Sequence, residues 1–123
     1  MIDSRYRDFK FTLGDVIADN ASSSRFVLGP ARVKPDTVEL DNLGMVMEIN
    51  GTAAQIGSSA AIYENPANSL AELANLLAPL GKHLKAGWVV MAGGATAAEH
   101  LKAGDKVCLR VDGLGTAEFG VDD

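Results

Sequence analysis

Two residues, Asn50 and Gly51, constrain this chain more than any others. They stand between Met45-Val46-Met47-Glu48-Ile49 and Thr52-Ala53-Ala54-Gln55-Ile56, two runs of apolar or β-prone residues. The two-residue loop that best matches strand twist needs positive φ at both central positions, and Asn-Gly meets that need at the lowest steric cost. A β-hairpin is therefore expected here, its return strand ending at Gly57-Ser58-Ser59.

The rest of the chain reads as mostly β around one main helix. Asp112-Gly113-Leu114-Gly115 predicts a second hairpin, joining Lys106–Val111 to Thr116–Val121. Phe9-Lys10-Phe11 alternates like a short strand, Arg25–Leu28 and Trp88–Met91 read as further strands, and another is expected near Thr37–Leu40. Thr12-x-x-Asp15 has the form of a capping box and predicts a helix of about two turns, weakened by Gly14. Asn65-Pro66 opens the substantial helix, which Gly81 stops. Its apolar stripe is Leu70, Leu73, Ala74, Leu77 and Leu80. Leu-Lys-Ala-Gly occurs at 84–87 and again at 101–104, the same turn chemistry used twice rather than an internal repeat. Hairpins outnumber any βαβ pattern, so the sheet should be antiparallel or mixed and folded over on itself, within a single domain over 1–123.

Composition excludes several function classes. The 11 basic and 16 acidic side chains give a net charge of -5, with no Lys/Arg cluster to attract nucleic acid or an anionic membrane surface. No apolar run approaches membrane-spanning length. The charged stretch from Asp3 to Lys10 does not resemble a secretory signal, and a cytoplasmic location is expected. The one cysteine, Cys108, lies in Lys-Val-Cys-Leu-Arg-Val and reads as an unreactive strand residue. His83 and His100 have no partner at zinc-ligand spacing. No Asp-x-Asp or Glu-x-Glu pair supports a hard-cation site made within this chain.

Two stretches could line a site. Asn20-Ala21-Ser22-Ser23-Ser24 crowds amide and hydroxyl groups between two apolar segments, a possible polar floor, although a solvated turn is the plainer reading of the same residues. Met91-Ala-Gly-Gly-Ala-Thr-Ala-Ala98 carries adjacent glycines that let backbone approach a ligand, or equally another strand. Neither has the nucleophile elbow of a serine hydrolase or the Lys-Ser/Thr of a P-loop.

Longer motifs carry a family resemblance. Ile2-Asp3-Ser4-Arg5-Tyr6-Arg7-Asp8-Phe9-Lys10, Ala18-Asp19-Asn20-Ala21-Ser22-Ser23 and Arg25-Phe26-Val27-Leu28-Gly29 resemble the hydratase/decarboxylase branch of the fumarylacetoacetate hydrolase superfamily. The likeness continues through Glu48–Gly51, Asn65-Pro66-x-Asn68, Leu84–Gly87 and Gly113–Gly115, and so spans essentially the whole chain. Tyr6–Phe11 and Met91–Ala98 look more like the decarboxylases of that branch.

The resemblance implies a mixed β-roll of the superfamily's C-terminal type with one main helix. It also implies metal-dependent decarboxylation of 2-oxohex-3-enedioate to 2-oxopent-4-enoate in meta-cleavage degradation of aromatic compounds. Ser22 and Ser23 match the family's serine pair at the substrate, and Gly93, Gly94 and Thr96 match the loop that closes over it, while Asn20 shapes the turn. The family's Mg²⁺ or Mn²⁺, a Lewis acid toward the 2-oxo acid, is held by a Glu-x-Glu pair and a third glutamate. All three would lie before Met1, so the chain resembles the C-terminal part of a complete enzyme, truncated at its N-terminus, without metal ligands and inactive alone. Hydration of 2-oxopent-4-enoate is the alternative activity, and a non-catalytic subunit with the same fold is a third reading. Strand edges and apolar faces left uncovered would favour a homo-oligomer or a complex with the pathway's hydratase.

Overall fold

The structure is a computed structural model that describes residues 1–3 and 5–122. Its centre is an antiparallel sheet of β1 (Gly44–Ile49), β2 (Thr52–Ser58), β3 (Lys106–Val111) and β4 (Gly115–Gly120), ordered β2-β1-β3-β4. Two helices stand beside it, α1 (Leu13–Ala18) and α2 (Pro66–Leu77), which makes an α+β fold with one main helix, as expected.

Local turn chemistry builds both hairpins. Asn50 and Gly51 take φ of 53° and 79°, the left-handed pair that the β1–β2 loop requires. The Asn50 side chain then reaches across the sequence: Lys106 N–H donates to its Oδ1 at 2.9 Å, and its Nδ2 donates to Asp105 Oδ1 at 2.8 Å. The tip of the first hairpin thus brackets the start of β3 and helps set the β1–β3 register. The two Leu-Lys-Ala-Gly segments do form the same turn. Trp88 N–H donates to Lys85 O, Asp105 N–H donates to Lys102 O, and Gly87 and Gly104 both have φ near +85°.

The register gives the sheet an apolar face and a polar one. Met45, Met47 and Ile49 of β1 stand opposite Val111, Leu109 and Val107, which in turn oppose Gly115, Ala117 and Phe119. The other face carries the row Glu48–Cys108–Glu118 and the Glu48–Arg110 ion pair. Alternation of side chains along paired strands produces this division. Two irregular arms cross the apolar face at opposite edge strands. A Cβ built on Gly29 would lie 2.6 Å from Thr116 O of β4, and one on Gly57 of β2 would lie 2.7 Å from Thr96 Cγ2. Close backbone approach is what these two glycines permit.

Four expected strands do not form. Arg25–Leu28 and Trp88–Met91 lie in the two arms and belong to no ladder, because β-prone residues become a strand only where a neighbouring edge takes their N–H and C=O groups. Pro35–Thr37 and Leu40–Asn42 are short 3₁₀ turns. Arg7–Phe9 is another, with Asp8 left-handed at φ 56°.

The core is thin. Among the described residues Leu43 and Val107 are the buried hydrophobic ones, and Phe26, Leu28, Trp88 and Met91 on the arms are each more than half exposed. On α2, Leu73 and Leu77 are half-buried while Leu70 and Ala74 are exposed, as is Leu80 in the 3₁₀ turn Ala78–Leu80 that follows, so the apolar stripe has little of this chain to pack against. Total accessible surface is 9175 Å², against about 6,300 Å² for a compact monomer of this mass. A second layer over the apolar face is only half built by the two arms. No helix among the described residues is long and apolar enough to cross a membrane.

Candidate functional site

The serine turn begins where α1 ends. Thr12 and Asp15 form the capping box, with Thr12 N–H donating to Asp15 Oδ2 at 2.7 Å and Asp15 N–H to Thr12 Oγ1 at 3.3 Å. Six helical residues later the chain turns through Asn20, Ala21 and Ser22, with φ of 51°, 54° and 54°. Asparagine tolerates this conformation. For alanine and serine a left-handed backbone costs about 1–2 kcal/mol per residue, so something must hold the turn in place.

Three sets of contacts do so. The N-terminal segment pairs with it as a short ribbon, with Asp3 N–H donating to Ser22 O at 2.9 Å and Ile2 bridging Ser23. Arg5 Nη1 donates to Asp19 Oδ1 at 2.6 Å and also to Asp19 O. Ser22 Oγ donates to Asp19 Oδ2 at 2.8 Å. Burial pushes the Asp19 carboxyl up, but the donors Arg5 and Ser22 outweigh it and hold it below the usual aspartate value. Ser22 is 5% exposed and Ser23 is open to solvent. The turn is therefore a rigid, strained corner that presents a hydroxyl at the surface. Strain retained by surrounding contacts is common at functional sites.

The glycine loop is anchored elsewhere. Gly93 has φ 135° and lies against Ile62, while Ala95 and Thr96 rest on Gly57 of β2. Gly94 and Thr96 are exposed, and Thr96 Oγ1 donates to Ala97 O at 3.2 Å. The serine turn leads into the arm over β4 and the glycine loop lies over β2, so the two are tethered to opposite edges of one sheet face.

Cys108 lies within β3, as its sequence context predicts. The Cys108 thiol is pushed up by burial and by its hydrogen bond to Glu118, which suits an inert strand residue. Arg5 and Asp19 had no separate signal in the sequence. Fourteen residues separate them, and their pairing depends on the left-handed turn. Gly57 as the seat of the glycine loop was equally invisible.

A divalent cation does not fit the donors gathered here. Both oxygens of Asp19, the carboxylate that joins the turn, are occupied by Arg5 and Ser22, whereas hard cations need about six oxygen ligands. Among the described residues no group of three or more His, Cys, Asp and Glu could hold a metal ion.

Known proteins share this architecture. A 4-oxalocrotonate decarboxylase from a Pseudomonas species is 53% identical over 119 residues, which is 97% of this chain and 46% of that protein. The structure of 4-oxalocrotonate decarboxylase from Pseudomonas putida G7, complexed with magnesium and adipate, superposes with a TM-score of 0.92 at 46% identity, covering 98% of this chain and 46% of that one. A 2-hydroxyhexa-2,4-dienoate hydratase from Comamonas testosteroni is 36% identical over 97% of this chain and 45% of its own length. The chain thus spans just under half the length of these relatives. Residues 1–122 match the family described as fumarylacetoacetate (FAA) hydrolase C-terminal, and the protein belongs to that family.

Proposed function

We propose that residues 1–123 form one unit supplying the serine-turn and glycine-loop walls of an active site that decarboxylates 2-oxohex-3-enedioate (4-oxalocrotonate) to 2-oxopent-4-enoate, in meta-cleavage degradation of aromatic compounds. The backbone likeness to the decarboxylase complexed with magnesium and adipate carries this reading. Adipate is a six-carbon dicarboxylate, with the length and charge of 2-oxohex-3-enedioate.

In that reaction the bond to the distal carboxylate breaks and CO₂ leaves. The electron pair passes through the conjugated double bond to the 2-oxo oxygen, where negative charge accumulates, and a proton added at C3 as the dienolate returns to the ketone gives 2-oxopent-4-enoate. In this reading Ser22, Ser23, Gly93, Gly94 and Thr96 line the substrate: the Ser23 hydroxyl and the backbone amides of Gly93 and Gly94 are donors suited to its carboxylate and oxo oxygens, while Ser22, whose proton goes to Asp19, and Thr96, whose proton goes to Ala97 O, shape the two walls. Donors fixed before the reaction stabilise charge as it develops, without reorganisation. The Mg²⁺ or Mn²⁺ of a complete enzyme belongs, in this reading, to residues outside the described chain, as do its ligands.

Turnover then needs polypeptide equivalent to the unmatched part of the relatives, whose docking also covers the exposed arms. Assembly as a homo-oligomer, or with the hydratase of the same pathway, in the cytoplasm, is consistent with that surface. Hydration of 2-oxopent-4-enoate is the second reading, favoured by the 36% identity to a dienoate hydratase.

The test mixes this chain with the separately expressed, unmatched segment of the Pseudomonas decarboxylase and Mg²⁺. Loss of 2-oxohex-3-enedioate with release of CO₂ is the expected outcome. Water addition to 2-oxopent-4-enoate without decarboxylation would favour the hydratase. Stable binding of the segment with neither activity would make the chain a non-catalytic module, and Mg²⁺-dependent turnover by the chain alone would overturn the statement that its metal ligands lie elsewhere.

A further inference from the structure

We propose that Arg5 and Asp19 are positioning residues, an ion-paired clamp that holds the Asn20–Ser22 turn left-handed and sets the direction of the Ser22 hydroxyl. As a statement about function this rests on the reading of the serine turn as the substrate wall. The clamp itself stands on geometry alone.

Each polar atom of the Asp19 side chain has one task. Oδ1 accepts from Arg5 Nη1 at 2.6 Å, and Oδ2 accepts from Ser22 Oγ at 2.8 Å. Asp19's side chain is 7% exposed, so these bonds do not compete freely with water. A carboxylate can only accept, which means the Ser22 proton must point at Asp19 and the oxygen lone pairs must point away. Arg5 also lies within reach of both Asp19 O and Ser23 O, at 3.2 and 3.5 Å, and so ties backbone on either side of the three left-handed residues. One guanidinium, planar and with donors in a fixed fork, can bind all three acceptors, which an ammonium cannot reproduce.

Asp19→Asn is the informative substitution because it changes hydrogen-bond polarity at constant shape. An amide nitrogen facing Ser22 would donate to Oγ, release the serine proton and turn the hydroxyl around. An amide also removes the charge that Arg5 binds.

The first measurement is amide hydrogen exchange by mass spectrometry on the full 123-residue chain, which tolerates self-association. Arg5→Ala and Asp19→Asn should raise exchange across residues 19–24 tenfold or more and leave the β1–β2 hairpin unchanged. Arg5→Lys should restore part of the protection. Wild-type protection of the turn in both disrupted variants would overturn the clamp. The second measurement uses the chain assembled with the decarboxylase segment, if active: Asp19→Asn should raise KM for 2-oxohex-3-enedioate at least tenfold with a smaller change in kcat. Altered exchange with unchanged KM and kcat would keep the clamp as architecture and refute its role at the substrate. An assembly inactive with the unsubstituted chain would count against the decarboxylase reading, while the exchange experiment still decides the clamp.

Discussion

Replacing Gly57 with alanine sets a steric cost against an entropic gain, and the structure predicts which wins. Gly57 lies in β2 with φ outside the left-handed region, so its backbone suits any L-residue and space alone decides the outcome. The new Cβ would sit 2.7 Å from Thr96 Cγ2 and 3.0 Å from Ala95 O, the first about 0.8 Å inside a normal carbon–carbon contact. Thr96 can rotate its methyl away, but Ala95 O is backbone, so the glycine loop must lift from the sheet. Overpacking of this kind costs about 1–3 kcal/mol, and lost freedom of glycine in the unfolded chain returns about 0.4–1 kcal/mol. The net is a loss centred on about 1.3 kcal/mol and at most about 2.6 kcal/mol, or about 5 °C in melting midpoint at the centre for a chain of this size. Gly44 in β1 is the control, since its Cβ would meet nothing within 4 Å. Gly44→Ala should raise the midpoint slightly by the same entropic gain. Far-UV circular dichroism melts at matched protein concentration follow both, and the fluorescence of Trp88, the single tryptophan, reports on the arm that carries the loop. Shifts of the same sign and size for both variants would refute the argument that Gly57 is the seat of the loop.

Three further outcomes follow from the same structure. Ser59 is 1% exposed and its Oγ accepts from Leu43 N–H at 2.6 Å; Ser59→Ala leaves that buried N–H unpaired and should cost about 1–3 kcal/mol in denaturant unfolding, with an unchanged midpoint counting against it. The exposed arms predict that the chain alone associates and binds hydrophobic dyes; light scattering showing a dye-silent monomer of 12.9 kDa would contradict this. Asp15, Asp19 and Asp105 are all held below the ordinary 3.8. The leading cause is a backbone N–H at Asp15 (from Thr12) and Asp105 (from Lys102), whereas at Asp19 burial opposes and Arg5 and Ser22 prevail. Folded-state values that are depressed mean the unfolded chain binds these protons more readily. Their contribution to stability is therefore complete above the ordinary value and disappears as pH falls through the folded ones. Urea midpoints measured from neutral pH downward should fall below about pH 4, and Asp105→Asn should make that fall shallower.

What the amino-acid sequence determined by itself is local. Asn50-Gly51, Asp112–Gly115, the Thr12–Asp15 box, the Asn65-Pro66 helix start and both Leu-Lys-Ala-Gly turns are each encoded in stretches of two to four residues, whose backbone preferences need no distant partner. The family motif also marked Ser22, Ser23, Gly93, Gly94 and Thr96 as candidates, through residue identity rather than geometry. Only the tertiary structure decided the rest. Arg25–Leu28 and Trp88–Met91 have strand-like composition yet join no ladder, since pairing depends on an edge that adjacent residues do not specify. The left-handed run through Ala21 and Ser22, and the Arg5–Asp19 pair that holds it, arise when segments far apart in sequence close on each other. Torsional preference is a property of neighbours, whereas ladders, ion pairs and burial are properties of surfaces that meet.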